Sequence, residues 1–144
     1  MIAVDTNVLI YAHRTDSPFH AVAAKQIRLL AEGAGAWAIP WPCVHEFLAV
    51  VTNPRIYDPP TPVALAVEYV DSLLQSPALV LLAESDVHWQ TLAPLLAAGR
   101  VAGGRVHDAR IAAICIQHNV RELWSADRDF SRFPQLVVIN PLVA

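Results

Sequence analysis

At 144 residues, 55% hydrophobic and only 16% charged, the chain is long enough to bury a full core and more apolar than the usual domain, in which ~25% of residues are charged; the surplus suggests apolar surface covered by a partner. The formal net charge of −3 gives no sign of a nucleic-acid binder held by bulk positive charge. Cys43 and Cys115, far apart and outside any Cys-x-x-Cys pair, argue against a disulfide framework or a zinc site and for two buried thiols.

In chain order, Ile2-Ala3-Val4 predicts a buried strand, and Asp5-Thr6-Asn7 offers capping side chains to an apolar helical turn from Val8 to Ala12. Asp16-Ser17-Pro18 is expected to cap a helix whose Val22, Ile27, Leu29 and Leu30 face the core, ending by Gly33-Ala34-Gly35. Trp37-Ala38-Ile39 predicts a short strand stopped by Pro40 and Pro42, followed by a helix from Cys43 to about Thr52 and a break at Asn53-Pro54. Pro59-Pro60-Thr61-Pro62 predicts a turn, with Thr61 capping a helix that contains Leu65, Tyr69, Leu73 and Leu74.

Leu79 to Leu82 is the next predicted strand, and Ser85 or Asp86 the cap of a helix through about Ala98. Gly99 to Gly104 is a glycine-rich loop before a helix from Val106 to His118; Leu123-Trp124 and Val137 to Ile139 are the last strands. Short apolar runs alternating with helices of roughly 10–15 residues predict βα units, hence an α/β domain over residues 1–144 with a central, mainly parallel sheet and helices on both faces. No run reaches the roughly 18 apolar residues of a membrane span, and Met1 to Thr6 lacks the basic start of a signal peptide, so a cytoplasmic chain intact from residue 1 is expected.

Four carboxylates sit in apolar surroundings: Asp5 after Ile2-Ala3-Val4, Glu46 inside WPCVHEFLAVV, Asp108 opening VHDARIAAICI, and Asp127 after Leu123-Trp124-Ser125. A buried charge without a partner is expensive, and the chain supplies few cations: Lys25 is its one lysine, and Glu46 is the only charged side chain from Gly33 to Pro54. A divalent ion answers that need, and an all-oxygen donor set selects Mg²⁺ or Mn²⁺. In open α/β sheets ligands bind beyond the carboxyl ends of the strands, where Asp5 and Asp127 follow strands and Asp108 opens a helix. Setting these four aside leaves nine of the thirteen acids against ten bases, nine of them arginines suited to phosphate contact.

Each acid taken singly also has a structural reading. Asp5 and Asp108 fit helix-start acids, and Asp127 with Asp129 fits an Asx turn before Phe130. His45 and His107, each beside a key acid, are expected to face solvent or to support the acids, and Trp37 and Trp41 either to fill the core or to stack on bases.

Four stretches, AVDTNVLIYA at Ala3 to Ala12, HEFLAVVTNPR at His45 to Arg55, HDARIAA at His107 to Ala113 and LWSADRDFSRFP at Leu123 to Pro134, span almost the whole chain. Their order and spacing resemble the PIN-domain ribonucleases and, within them, the VapC-type toxins of toxin–antitoxin pairs. The resemblance implies a PIN-like fold and an acidic quartet at Asp5, Glu46, Asp108 and Asp127, with Ser125 at a hydroxyl position, Thr6 and Asn7 supporting Asp5, and Asp129 as an additional candidate ligand. It further implies Mg²⁺ or Mn²⁺, hydrolysis of RNA by metal-activated water and a small antitoxin as partner; the apolar surplus fits that partner and fits a homodimer as well. Two other readings stand beside it: a receiver-like aspartyl phosphotransferase acting through Asp5, and a non-catalytic PIN-like module that binds RNA or protein.

Overall fold

The computed structural model describes residues 1–143. Five strands, β1 (Ile2–Val4), β2 (Trp37–Pro40), β3 (Leu79–Leu82), β4 (Glu122–Trp124) and β5 (Val138–Ile139), form one sheet in the order β3-β2-β1-β4-β5. Every neighbouring pair is parallel. Consecutive residues of a strand face opposite sides of a sheet, and Ala3 and Val4 are both fully buried, as are Trp37 and Ala38. Both faces are therefore covered, as the unbroken apolar strands predicted.

The covering helices are α1 (Thr6–His13), α2 (His20–Glu32), α3 (Trp41–Val51), α4 (Val63–Leu74), α5 (His88–Gly99) and α6 (Val106–Gln117). Leu9 of α1, Phe47 and Val51 of α3, and Ile114 of α6 join Val4, Ile39 and Leu123 of the strands in the core. Short 3-10 turns at Gly103–Arg105 and Arg128–Arg132 lead into α6 and follow β4. Gly103 has φ +61°, a left-handed conformation that favours glycine.

Several local expectations are corrected. Helix α2 starts at His20 and has no side-chain cap; Ser17 Oγ accepts from the Phe19 amide and Asp16 pairs with Arg14 instead. Its core stripe is Ala23 and Ile27, whereas Val22 and Leu29, seven residues apart and so on a shared flank, are 41% and 56% exposed. Helix α3 begins at Trp41, because Pro42 falls in the first turn where its missing N–H has no helical acceptor to lose. Thr61 caps nothing; its hydroxyl is held by His13 Nε2 at 3.1 Å and by Arg14 at 3.2 Å, and Pro62 precedes α4. Ser85 and Asp86 do not cap α5, which starts at His88.

The chain builds β1, β2 and β3 outward in one direction, then returns to lay β4 and β5 on the other side of β1. The order reverses between β1 and β4, and a crevice at such a reversal is where open α/β sheets bind ligands.

Candidate active site

Parallel pairing sets Val4 opposite Trp124. One residue further, the Asp5 amide donates to the Trp124 carbonyl at 2.9 Å and the Ser125 amide to the Ile139 carbonyl at 2.9 Å. Asp5 and Ser125 thus emerge together at the carboxyl end of the sheet, 5% and 2% exposed. Asp5 occupies the N-cap position of α1, yet its side chain makes no capping bond. Its Oδ2 instead accepts from Ser125 Oγ at 2.7 Å and from Asn7 Nδ2 at 3.3 Å, and its Oδ1 accepts from the Cys43 thiol at 3.5 Å.

Ser125 Oγ also accepts from Asn7 Nδ2 at 3.2 Å and from the Asp127 amide at 3.0 Å, while Asn7 Oδ1 accepts from the Ala126 amide at 3.2 Å. Asn7 thereby fastens the β4 exit loop to α1. Thr6 Oγ1 is buried beside Cys43 without a hydrogen bond of ordinary geometry. Asp127 Oδ1 accepts from the Asp129 amide at 2.8 Å, so the Asx turn foreseen from the sequence is formed, and it brings both carboxylates round to α6.

Asp108 lies in the first turn of α6. Carboxylate oxygens of Asp108, Asp127 and Asp129 lie within 4.8 Å of one another. Burial pushes the Asp108 carboxyl up to about 6, and the negative charges of Asp127, Asp5, Asp129 and Glu46 push in the same direction. Asp5 also rises to about 6, chiefly from burial and in smaller part from Glu46, against the opposing hydrogen bonds from Ser125, the Thr6 amide and Cys43. The four acids singled out from the sequence, and Asp129 with them, therefore share one electrostatic environment.

Their surroundings differ from the sequence argument in one respect. Only Asp5 is truly buried; Asp108, Asp127 and Asp129 are half-buried and Glu46 is exposed on α3. Glu46 follows Cys43 by three residues, so both project from one side of α3 toward Asp5. Burial holds the Cys43 thiol well above its ordinary range, which keeps it a proton donor to Asp5. That contact and the ion pair of Arg105 with Asp129 at 3.7 Å escaped the sequence reading. The i, i+3 spacing of Cys43 and Glu46 was the available signal for the first.

Among the described residues, Asp5, Glu46, Asp108 and Asp127 pair with no basic side chain. An uncompensated, all-oxygen cluster of acids is the donor set that a hard divalent cation fits, and Asp108, Asp127 and Asp129 are the residues close enough together to hold one.

The PIN domain family matches the chain across residues 2–136. The chain belongs to the PIN-domain family. This PIN domain is 37% identical over 142 residues to Ribonuclease VapC43 of Mycobacterium tuberculosis, an alignment covering 99% of this chain and 96% of the relative. Its fold is shared by Mycobacterium tuberculosis VapC20, a sarcin-ricin loop cleaving toxin, with TM-score 0.67, 16% identity, and coverage of 91% of this chain and 93% of that one. A chain of a toxin–antitoxin complex from Klebsiella pneumoniae matches with TM-score 0.63, 17% identity and 98% of both chains covered. PIN-domain ribonucleases are metal-dependent as a family, in keeping with the acidic cluster of this PIN domain.

Proposed function

We propose that this PIN domain is a Mg²⁺- or Mn²⁺-dependent endoribonuclease and the toxin of a toxin–antitoxin pair, with residues 1–144 acting as one nuclease domain. The observation that carries the reading is the convergence of Asp5, Glu46, Asp108, Asp127 and Asp129 on one sheet edge, with a single ion pair to them among the described residues. Full-length relationship to a protein named a ribonuclease supports the choice of substrate class. A divalent cation bound there would supply charge neutralisation and Lewis-acid polarisation of the scissile phosphodiester.

In this reading Asp108, Asp127 and Asp129 hold the cation, and Asp5 completes the acidic wall. Ser125 and Asn7 fix the Asp5 carboxylate through Oδ2, and the Asp129 amide tethers Asp127 through Oδ1. In the same reading Glu46, exposed and without an ion pair among the described residues, takes the proton of an attacking water. The receiver-like alternative lacks its lysine, since Lys25 is exposed on α2 while the partners of Asp5 are Ser125, Asn7 and Cys43.

The same reading gives the protein an antitoxin and a second copy of itself as partners; exposed Val63 and Val67, one turn apart on α4, supply apolar surface for such contacts. No helix among the described residues is long and apolar enough to cross a membrane, which is compatible with the proposed cytoplasmic site of action. The test is incubation of total bacterial RNA with antitoxin-free protein and Mg²⁺ or Mn²⁺, beside EDTA and a folded Asp108→Asn variant. Discrete fragments that disappear in both controls are expected. Equal cutting by Asp108→Asn would overturn the reading, and RNA binding without any cutting or metal binding would make the chain a non-catalytic module.

A further inference from the structure

Beside the acids, α3 and α6 enclose a cleft of about 290 Å³ lined by His45, Glu46 and Ala49 on one side and His107, Arg110 and Ile111 on the other. Glu46 belongs to both the cleft and the acidic centre, so the two are continuous. The walls are aromatic and polar, the imidazoles of His45 and His107 being exposed, and Ala49 and Ile111 contribute apolar surface. Ion pairing to Glu84 holds the Arg110 guanidinium through Nε, and its Nη atoms make no hydrogen bond among the described residues.

Trp41, one turn earlier on α3, lies with its ring centroid 6.0 Å from that of His45 and the planes 30° apart. The two tryptophans of the WAIPWP stretch have divided: Trp37 is fully buried with its Nε1 donating to Ser76 Oγ, whereas Trp41 is 38% exposed. An exposed tryptophan backing an exposed histidine, at the wall of a cleft that opens onto a phosphodiester-cleaving centre, has no role in the core.

We infer that the α3–α6 cleft is a nucleobase subsite, in which the base adjoining the scissile phosphate stacks on His45, with Trp41 positioning the His45 ring from behind and His107 closing the opposite wall. The inference rests on the nuclease reading. The cleft lies at the small end of ligand pockets, about 300 Å³, a size for one planar ring system and not for a helix of a protein partner. Because Glu46 joins the cleft to the acids, a base lodged there belongs to the nucleotide next to the scissile phosphate. A base can enter only if it is unpaired, so the substrate is single-stranded at this point. Stacking on aromatic faces tolerates any base, and His107 and the free edge of Arg110 are the groups that would discriminate among them.

The experiment compares the binding of a fluorescein-labelled, mixed-sequence single-stranded RNA with that of an abasic strand of equal length, by anisotropy, in an Asp108→Asn background that prevents cleavage. The parent is expected to prefer the RNA, and His45→Ala to lose that preference, weakening RNA binding about five- to a hundredfold. His45→Phe, which keeps a ring without imidazole nitrogens, is expected to restore it, and Trp41→Ala to give an intermediate loss. In the cleaving protein, His45→Ala is expected to raise KM with kcat largely kept. His45 is exposed, so an unchanged melting temperature checks that these variants fold. An undiminished preference for RNA in His45→Ala, or a His45→Phe variant no better than alanine, would overturn the subsite. If the preference behaves as expected while the unsubstituted protein cuts no RNA, the nuclease reading falls and the subsite remains.

Discussion

Replacing Asp5 by asparagine should make the metal-free protein more stable, because the ionised carboxylate opposes folding. Its carboxyl is carried from an ordinary 3.8 to about 6, with burial as the main cause. Each tenfold change in proton affinity is worth ~1.4 kcal/mol, so keeping Asp5 ionised near pH 7 costs the fold about 3 kcal/mol. Between about pH 4 and about pH 6 the folded state retains a proton that the unfolded chain has released. Stability should therefore fall as pH rises through that window and level off above it. Asp108 adds to the fall in the same direction, whereas Asp16 and Glu84, held low by Arg14 and Arg110, add a small opposite slope at the surface. The difference between wild type and Asp5→Asn cancels the contributions of Asp16 and Glu84, and Asp108 enters it only through the part of its shift that the Asp5 charge supplies. Urea denaturation in EDTA should give Asp5→Asn an advantage of about 1–3 kcal/mol near pH 7, the lower figure allowing for a poorer contact with Cys43, and that balance should fall by about 3 kcal/mol as the pH is lowered to about 4. An advantage that does not depend on pH, or a loss of stability near pH 7, would refute the electrostatic account of this site.

Mg²⁺ or Mn²⁺ should raise the melting temperature of wild type by mass action, and calorimetry should find that response absent in a double Asp108→Asn, Asp127→Asn variant. Arg105→Ala releases Asp129 from its partly exposed ion pair, so metal affinity should rise by up to about fivefold, the range of a surface pair; a weaker affinity in titration calorimetry would count against Asp129 as a ligand. Ser125→Ala removes the 2.7 Å donor to Asp5 and the acceptor of the Asp127 amide. The pH window of the stability loss should move upward and RNA cleavage should fall by about tenfold or more, read by denaturation and by a fluorogenic oligonucleotide.

The acids could be read from the sequence because each follows a signal that parallel α/β topology converts into position: a strand end for Asp5 and Asp127, a helix start for Asp108. Of these acids only Asp5 is buried among apolar residues. Glu46 is exposed, since an apolar helix segment need not be buried all round, and α3 turns Phe47 and Val51 inward while Glu46 looks to the site. The same limit explains α2, where Val22 and Leu29 looked like core residues but the contact stripe is only as wide as Ala23 and Ile27. Side-chain pairings across distant segments, such as Arg105 with Asp129 and Thr61 with His13, carry no local periodicity. Thr61, a cap by its position just before α4, is held by the end of α1 instead.

Ser125 separates supporting from reacting groups at this edge. A hydroxyl has one proton to donate and two lone pairs to receive with. Here the proton goes to Asp5 Oδ2, and the lone pairs face Asn7 Nδ2 and the Asp127 amide. With its hydrogen-bonding capacity filled, Ser125 is poorly placed to act as a nucleophile, and its arrangement requires Asp5 Oδ2 to remain an acceptor. Protonation of Asp5 is then directed to Oδ1, where the Cys43 thiol can turn from donor to acceptor without disturbing the β4 exit loop. Two functions are thereby divided between the two oxygens of one carboxylate: Oδ2 holds the junction of β1 and β4 together, and Oδ1 absorbs the change of charge. The acidic edge can lose or gain a cation while the hydrogen bonds that shape it persist, which reconciles a charge cluster that opposes folding with the ordered sheet end on which it stands.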